Sequence, residues 1–233
     1  MPPPLPPPAN TSQTKVMAIL NTTPDSFSDG GKFGFSADDE AARVAGAFDR
    51  AQELVASGAD IIDVGGESTR PGADRVTLEE EMDRVIPVVR MITSELDTIV
   101  SVDTTRSEVA VAAVQAGAHL VNDVSGGQFD DVMHRRVAEL GAPYIAMHMR
   151  GTPKTMQSMA VYSDLVGDVR RELHECVTDI VEAGVPLWDI IVDPGIGFAK
   201  TGDHNLQLLR QLNDVFPCPP GATPPVGQSE ALR

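Results

Sequence analysis

The sequence repeats one local pattern six times: a short apolar run, a polar loop and a longer segment with apolar residues at helical spacing. The apolar runs predict strands, and the helical spacing predicts amphipathic helices. The predicted strands are residues 16–20, 60–64, 99–103, 119–122, 143–148 and 188–193. The predicted helices are residues 37–57, 78–94, 108–116, 131–140, 164–183 and 205–213.

This alternation predicts an α/β fold with a parallel sheet. Each predicted strand is apolar along most of its length, as expected when both faces of a parallel strand are covered. A (β/α)8 TIM barrel and an open doubly wound sheet both fit the alternation. The first strand is not followed by G-x-G-x-x-G, so a dinucleotide-binding fold is the weaker choice. We therefore predict an incomplete barrel of about six βα units, with strands 7 and 8 missing.

Composition narrows the functional classes. The net charge of −16 argues against a nucleic-acid partner or an anionic membrane surface. No apolar run approaches the ~20 residues that a membrane helix needs. The two cysteines, Cys176 and Cys218, have neither disulfide-framework nor metal-site spacing, which fits a reducing compartment. We expect a cytoplasmic protein without a signal peptide, or a mitochondrial one if the source is a fungus.

The chain divides into three parts by composition. Residues 1–15 are proline-rich and then polar, which predicts a disordered arm or linker. Residues 16–215 hold the six repeated units and form the predicted barrel domain. Residues 216–233 contain many prolines and no periodic apolar pattern, which predicts a disordered tail.

Polar side chains stand at the carboxyl ends of the predicted strands, where parallel α/β folds place their functional sites. Two kinds dominate, carboxylates and carboxamides, with no obvious nucleophile among them. Such a group of donors and acceptors suits the edge of a flat nitrogen heterocycle. Arg70 in the second loop is a natural partner for phosphate, and Asn21 could give an oxygen to Mg²⁺. The strand-end residues are Asn21, Asp63, Asp103, Asn122, His148 and Asp193.

Simpler interpretations exist for several of these residues. Asp63 is as consistent with a cap for the following turn as with a function. His148 is more often a hydrogen-bonded scaffold residue at such a position, and Arg150 and Lys154 fit solvated surface positions. Asp103 and Asp193 are harder to explain structurally, because each ends an apolar run where an unpaired charge costs several kcal/mol.

Six motifs make the chain resemble the dihydropteroate synthase family, the folate-pathway target of sulfonamides. The resemblance covers about residues 16–212, which is most of the chain. The motifs are MAILNTTPDSFSDGG, IDVGGESTRPGA, SVDTTRSEVA, HLVNDVSGG, MHMRGTPKTMQ and DPGIGFAKTGDHNLQLL.

The resemblance implies a (β/α)8 barrel that condenses 6-hydroxymethyl-7,8-dihydropterin diphosphate with 4-aminobenzoate to give 7,8-dihydropteroate and diphosphate. It assigns Asn21 to Mg²⁺ and diphosphate, and Asp103 and Asp193 to catalysis together with Arg70. The implied substrate-binding residues are Thr69, Arg70, Asp103, Asn122, Val124, Met147, Asp193, Phe198 and Lys200. The implied first mobile loop contains Asp25, Phe27 and Asp29.

The family pattern also sets expectations about the missing end and the partners. Family members form homodimers or are fused to other folate enzymes. Their seventh and eighth strands carry a Ser-Arg-Lys motif and an Arg-x-His motif, which have no counterpart here, so we expect weak or no activity from the chain as written. Residues 227–232 can be back-translated so that the next reading frame gives Val-Ser-Arg-Lys-Arg-Phe. That reading predicts a frameshift or wrong splice junction between about residues 215 and 227.

Two alternatives remain open. A related barrel binds methyltetrahydrofolate and passes its methyl group to a corrinoid, although the D-S-F-S-D-G-G and S-T-R-P-G motifs favour the synthase. The other alternative is an inactive fragment that binds pterin without turning it over.

Overall fold

The computed structural model describes residues 14–23, 40–69 and 75–216. Within these ranges six parallel strands alternate with helices, and each strand pairs with the next one along the chain. The strands are β1 Met17–Asn21, β2 Ile61–Gly65, β3 Ile99–Asp103, β4 Leu120–Asp123, β5 Tyr144–Met147 and β6 Ile190–Asp193. The helices are α1 Glu40–Ala56, α2 Leu78–Glu95, α3 Ser107–Gln115, α4 Met133–Leu140, α5 Leu165–Glu182, α6 Gly202–Arg210 and α7 Leu212–Val215.

Local sequence signals account for several helix ends. The Thr77 and Asp164 side chains accept hydrogen bonds from the backbone N–H groups of Glu80 and Gly167, which caps α2 and α5. Gly141 ends α4 with φ 64° and ψ 32°, a left-handed conformation that costs other residues more. These caps explain why the predicted α2 begins at the observed residue and why α4 ends where predicted.

The main core lies between the sheet and the helices around it. Val64, Val102 and Val121 project from the central strands into this core and are fully buried. The parallel order β1 to β6 confirms the predicted α/β fold and fits six consecutive units of a barrel.

The two outer strands depart from the prediction that every strand is covered on both faces. Ile19 in β1 is 66% exposed and Ile191 in β6 is 49% exposed, because each strand has a neighbour on one side only in the described sheet. The predicted sixth strand was also too long. Its first residues form a 3₁₀ turn, Leu187–Asp189, in which Trp188 is 85% exposed.

Several predictions fall on residues that the structure does not describe. They concern Arg70, the first-loop residues Asp25, Phe27 and Asp29, and most of the proposed arm and tail, residues 1–13 and 217–233. Among the described helices, none is both long and apolar enough to cross a bilayer.

Candidate functional site

Strand register places three of the predicted polar residues and one glycine in a single row at the carboxyl end of the sheet. Asn21 pairs with Gly65, Gly65 with Asp103, and Asp103 with Asn122. Residues paired in this way on neighbouring strands share one face of the sheet. The strand-end argument therefore holds for Asn21, Asp103 and Asn122, and Gly65 supplies an open position between them.

Asp103 is the most unusual member of this row. No hydrogen bond or ion pair engages its side chain among the described residues, and burial raises its pKa well above the ordinary value, with the charges of Asp63 and Asp123 adding to the effect. A Cβ atom at Gly65 would stand 3.3 Å from Asp103 Oδ2, so the carboxylate leans over the glycine. An uncompensated carboxylate of this kind costs folding free energy and is typical of a ligand-binding position.

Asp63 lies one layer deeper in the same face. Its register partners are Ile19 on one side and Ser101 on the other. Asp63 Oδ2 accepts a hydrogen bond of 2.8 Å from Asn122 Nδ2, and burial raises the pKa of Asp63. Asp63 is therefore not a turn cap but a buried partner of Asn122.

The structure also has a cavity of about 400 Å³, which no residue of this row lines. Its walls come from the segments that follow β2 to β6, so it lies at the carboxyl end of the sheet. Five apolar side chains form one packed cluster in this region: Val124, Phe129, Met147, Met149 and Phe198. Residues lining the cavity include Glu67, Ser68, Thr69, Arg75, Thr105, Val124, Phe129, Met149, Lys154 and Phe198. The structure thus brings the predicted Thr69, Val124, Met147 and Phe198 together.

The loop after β2 is tied at both described ends by Arg106, which sequence reasoning missed. Its Nη2 donates to the backbone oxygen of Val76 at 2.6 Å, and its Nη1 lies 3.1 Å from Glu67 Oε2 and contacts buried Glu81. Arg75 adds a second ion pair to Glu67, at 3.4 Å. These contacts fix the base of the loop that contains Thr69. The available signal was a charged residue three positions after the end of β3.

Asp123 organises the loop after β4, and its role was also missed. Its carboxylate accepts hydrogen bonds from Ser125 N, Ser125 Oγ and Gly127 N, and from the Tyr144 hydroxyl at 2.8 Å. Burial raises the pKa of Asp123. The four bonds fix the turn that presents Val124 to the cavity.

The sixth strand contributes Asp193 and, further along, Lys200. Asp193 pairs with Met147 across the sheet, and its Oδ1 accepts a 2.7 Å hydrogen bond from Gly195 N. The buried Lys200 Nζ lies 2.9 Å from His148 Nδ1 and donates to Phe198 O at 2.9 Å. Lys200 therefore makes protein contacts in the structure, and its role toward a substrate stays a prediction.

His148 faces helix α5 rather than the strand-end row. Its Nε2 lies 2.9 Å from Glu172 Oε2, and Glu172 also pairs with Arg150. Burial and the nearby Lys200 lower the pKa of His148 to about 4. Hydrogen bonds from Arg150 and His148 outweigh burial and lower the pKa of Glu172 to about 2, while burial lowers that of Lys200 to about 8. At neutral pH the imidazole is therefore neutral between a cation and an anion.

The donor set gives limited support to a metal ion. Among the described residues there is no group of three or more His, Cys, Asp or Glu side chains that could hold one. Within the same ranges no hydrogen bond engages the Asn21 side chain, so its amide oxygen can still accept a ligand. One protein oxygen fits a Mg²⁺ ion whose other ligands are phosphate oxygens and water.

The arrangement combines an apolar cavity wall, an acceptor-rich polar row and cations at the rim. A planar ring can stack against Phe198 and Met147, while Asp103 and Asn122 accept hydrogen bonds from N–H groups on its edge. Arg75 and Lys154 at the cavity offer positive charge to an anionic substituent.

Comparison with known proteins agrees with this chemistry. The profile of the family described as "Pterin binding enzyme" matches residues 17–219. The chain is 49% identical over 203 residues to a dihydropteroate synthase of Synechocystis, covering 87% of this chain and 68% of that protein. It is 47% identical over 210 residues to a mitochondrial bifunctional folate synthesis protein of Arabidopsis thaliana, covering 88% of this chain but 36% of that protein.

Solved structures show the same relationship. A Yersinia pestis dihydropteroate synthase in complex with a sulfonamide drug aligns with a TM-score of 0.79 and 42% identity, over 88% of this chain and 71% of that one. A Xanthomonas albilineans dihydropteroate synthase in complex with 7,8-dihydropteroate aligns with a TM-score of 0.73 and 37% identity, over 86% and 68% of the two chains. The chain thus spans about two thirds of these single-function relatives.

Proposed function

The chain belongs to the dihydropteroate synthases of the pterin-binding enzyme family, and we propose that it carries their reaction chemistry: condensation of 6-hydroxymethyl-7,8-dihydropterin diphosphate with 4-aminobenzoate. The observation that carries the proposal is Asp103, a carboxylate with no protein partner among the described residues, which pairs in register with Asn122 at the same end of the sheet as an apolar cavity. A pterin ring presents the amino and N–H donors that these two acceptors need.

Pterin binding would use two kinds of contact. Asp103 and Asn122 accept hydrogen bonds from the ring edge. Asp193, at the end of β6, pairs in register with Met147 of β5. Val124, Met147 and Phe198 cover the ring faces, which removes apolar surface from water. The 4-aminobenzoate would enter next to Thr69, where the loops after β2 and β5 both line the cavity.

In the reaction the C–O bond between the pterin methylene and the diphosphate breaks, and the pair of electrons leaves with the diphosphate. Asp103 and Asp193 stabilise the cation that remains on the pterin, and Arg70 pairs with the leaving phosphate oxygens. A Mg²⁺ ion held partly by Asn21 would supply Lewis-acid stabilisation to the same oxygens. The 4-aminobenzoate nitrogen then forms the new C–N bond and releases a proton to solvent. The apolar wall keeps competing water from the cation.

Turnover of both substrates tests this proposal directly. The full chain is incubated with the pterin diphosphate, Mg²⁺ and 4-aminobenzoate, and diphosphate and 7,8-dihydropteroate are measured. We expect equal amounts of the two products and at least about a hundredfold loss in Asp103→Asn, since a charge-assisted hydrogen bond to the reacting ring is removed. Asp60→Asn is the matched control, because Asp60 pairs with exposed Lys15 far from the cavity.

Other outcomes identify the alternatives. Pterin binding without either product would overturn the proposed turnover and indicate a pterin-binding fragment. Methyl transfer from methyltetrahydrofolate to cobalamin would indicate the related methyltransferase chemistry.

The partners and the compartment belong to the same proposal. The bifunctional relatives from plants support a setting in which the barrel is joined to another folate enzyme, and one of them is described as mitochondrial. A homodimer follows from the family pattern and is measured by sedimentation of the purified chain. We propose a cytoplasmic location, with the mitochondrion as the alternative; fractionation of the source cells tests it.

A further inference from the structure

Asp63 occupies a position that a barrel normally fills with an apolar side chain. Its layer is formed by register partners Ile19, Asp63, Ser101 and Leu120, two residues below the strand-end row. Bulky branched residues dominate such interior layers. The layer instead holds a carboxylate whose Oδ1 is buried without a hydrogen-bond partner in the described residues, as is the hydroxyl of Ser101. Such an arrangement costs stability and needs another explanation.

The second oxygen of Asp63 supplies that explanation, because it contacts Asn122. Asn122 Nδ2 donates to Asp63 Oδ2 at 2.8 Å. The opposite amide orientation would place Asn122 Oδ1 against a carboxylate oxygen, which brings two sets of lone pairs together. The Asp63 carboxylate therefore fixes which end of the Asn122 amide faces the cavity side.

We propose that Asp63 is a positioning residue that locks the Asn122 amide with its oxygen toward the ligand and so makes this pocket select heterocycles with donor groups on the bound edge. With the Asn122 Nδ2 group engaged by Asp63, Asn122 and its register partner Asp103 offer only acceptor oxygens to a ligand. A 2-amino-4-oxo pteridine satisfies them, whereas a 2,4-dioxo pteridine sets an oxygen against them. This inference rests on the proposed pterin binding. It assigns to Asp63 the selection of 2-amino-4-oxo over 2,4-dioxo pteridines.

The test measures the ratio of two dissociation constants by calorimetry on the full chain, for 6-hydroxymethylpterin and for its 2-oxo analogue, 6-hydroxymethyl-lumazine. Asp63→Asn keeps the side-chain volume but lets residue 63 donate as well as accept, so the Asn122 amide can turn over. We expect the preference for the pterin to fall about tenfold in Asp63→Asn. Asp63→Leu, which removes the partner altogether, should lower it at least as far.

Ser101→Ala is the matched control, since Ser101 shares the layer and the burial but its hydroxyl makes no hydrogen bond to Asn122. Its preference should stay within about twofold of the unaltered chain. In an Asn122→Ala background, Asp63→Asn should leave the preference unchanged, because the amide that Asp63 orients is absent and the effects of coupled residues are not additive.

The outcomes separate the inference from the function on which it rests. If Asp63→Asn weakens both ligands equally and keeps the ratio, Asp63 is only structural and the inference is wrong. If the unaltered chain binds neither ligand, the proposed function fails first. Should Asp63→Leu not fold, the Asp63→Asn ratio and the Asn122→Ala background still decide the matter.

Discussion

The protein contains two buried polar clusters that differ in how their charges are balanced. The inner cluster, Asp63, Asp103 and Asn122, lies on the strand-end face and includes no cation among the described residues. The outer network lies behind β5, against α5, and runs from Lys200 through the neutral His148 to the Glu172 carboxylate and Arg150. Burial raises the carboxyl pKa values in the inner cluster, whereas partners lower the pKa of Glu172 to about 2 in the outer one.

This difference separates a binding site from a structural network. In the outer network Glu172 pairs with Arg150, and the neutral His148 links Glu172 to Lys200 by hydrogen bonds, so the network stabilises the packing of the helix on the sheet without a ligand. Among the described residues the inner cluster has no cation, so the hydrogen bonds to Asp63 offset only part of the desolvation of the carboxylates, whose pKa values stay raised. A ligand rich in hydrogen-bond donors would supply the missing partners. Substitution of an unpaired carboxylate of this cluster should therefore improve stability while destroying binding.

The largest expected effect is on the inner cluster. Asp103→Asn should weaken binding of 6-hydroxymethylpterin about a hundredfold, or about 3 kcal/mol, through loss of a charged acceptor. The same variant should be about 1 kcal/mol more stable to urea at pH 7, because an unpaired buried charge is gone. Calorimetry and urea unfolding measure the two effects. A variant that loses both binding and stability would contradict the distinction drawn between the clusters.

The outer network should respond in the opposite way. Glu172→Gln removes the anion that pairs with Arg150 and accepts a hydrogen bond from His148, and it should lower the free energy of unfolding by about 2 kcal/mol, with little effect on pterin affinity. Asp168 remains 3.6 Å from Arg150 in this variant. Glu175→Gln is the control one turn further along α5, where the carboxylate is 63% exposed and pairs with Arg171. Its cost should stay below about 0.5 kcal/mol in urea unfolding. Equal losses of unfolding free energy in the two variants would contradict the structural role of the network.

Acid should affect the two clusters with opposite signs. The pKa of His148 is lowered to about 4 from an unfolded value near 6.5, so its contribution to stability is present above pH 6.5 and is lost as the pH falls toward 4. The inner carboxyl groups have raised pKa values, so the native state takes up their protons first and gains stability over the same acid range.

Between pH 7 and pH 4.5 the stability difference between the unaltered chain and His148→Gln should change by about 2 kcal/mol, since only the former loses the neutral imidazole. Urea unfolding at the two pH values measures it. A difference that does not move with pH would show that His148 is not held neutral by its burial and by Lys200.

The smallest expected effect sharpens the geometry of the inner cluster. Gly65→Ala would place a Cβ 3.3 Å from Asp103 Oδ2 and shift the carboxylate by a few tenths of an ångström. We expect pterin binding to weaken about fivefold, roughly 1 kcal/mol, with the chain still folded. Circular dichroism and calorimetry provide the two readings. Unchanged affinity would mean that the ligand does not depend on the carboxylate position next to Gly65.

Sequence reasoning could predict the order of elements because a buried parallel strand leaves a direct mark, a short apolar run between loops. The same logic placed Asn21, Asp103 and Asn122 together, since strand ends share an edge. It left Asp63 open between a turn cap and a functional residue, because no local pattern shows that Asp63 reaches Asn122 on β4. Apolarity alone also extended the sixth strand to Trp188, which lies in an exposed 3₁₀ turn.

The partners of long-range polar contacts could not be read from local patterns. Glu172 lies on a helix 24 positions after His148, and nothing in its surroundings distinguishes it from the exposed acids of the same helix. Arg106 likewise reaches Glu67 and Val76 only because β2 and β3 are neighbours. Such contacts follow from the assembled fold, so they become predictable once strand order is known.

The free sides of β1 and β6 have a practical consequence for anyone handling this chain. In the sheet formed by the described residues, each outer strand has a line of unpaired peptide groups beside an exposed isoleucine, Ile19 or Ile191. Another extended segment can dock there through backbone hydrogen bonds regardless of its sequence. Turbidity that rises with protein concentration would therefore indicate association through the edge strands, and not a loosely packed interior.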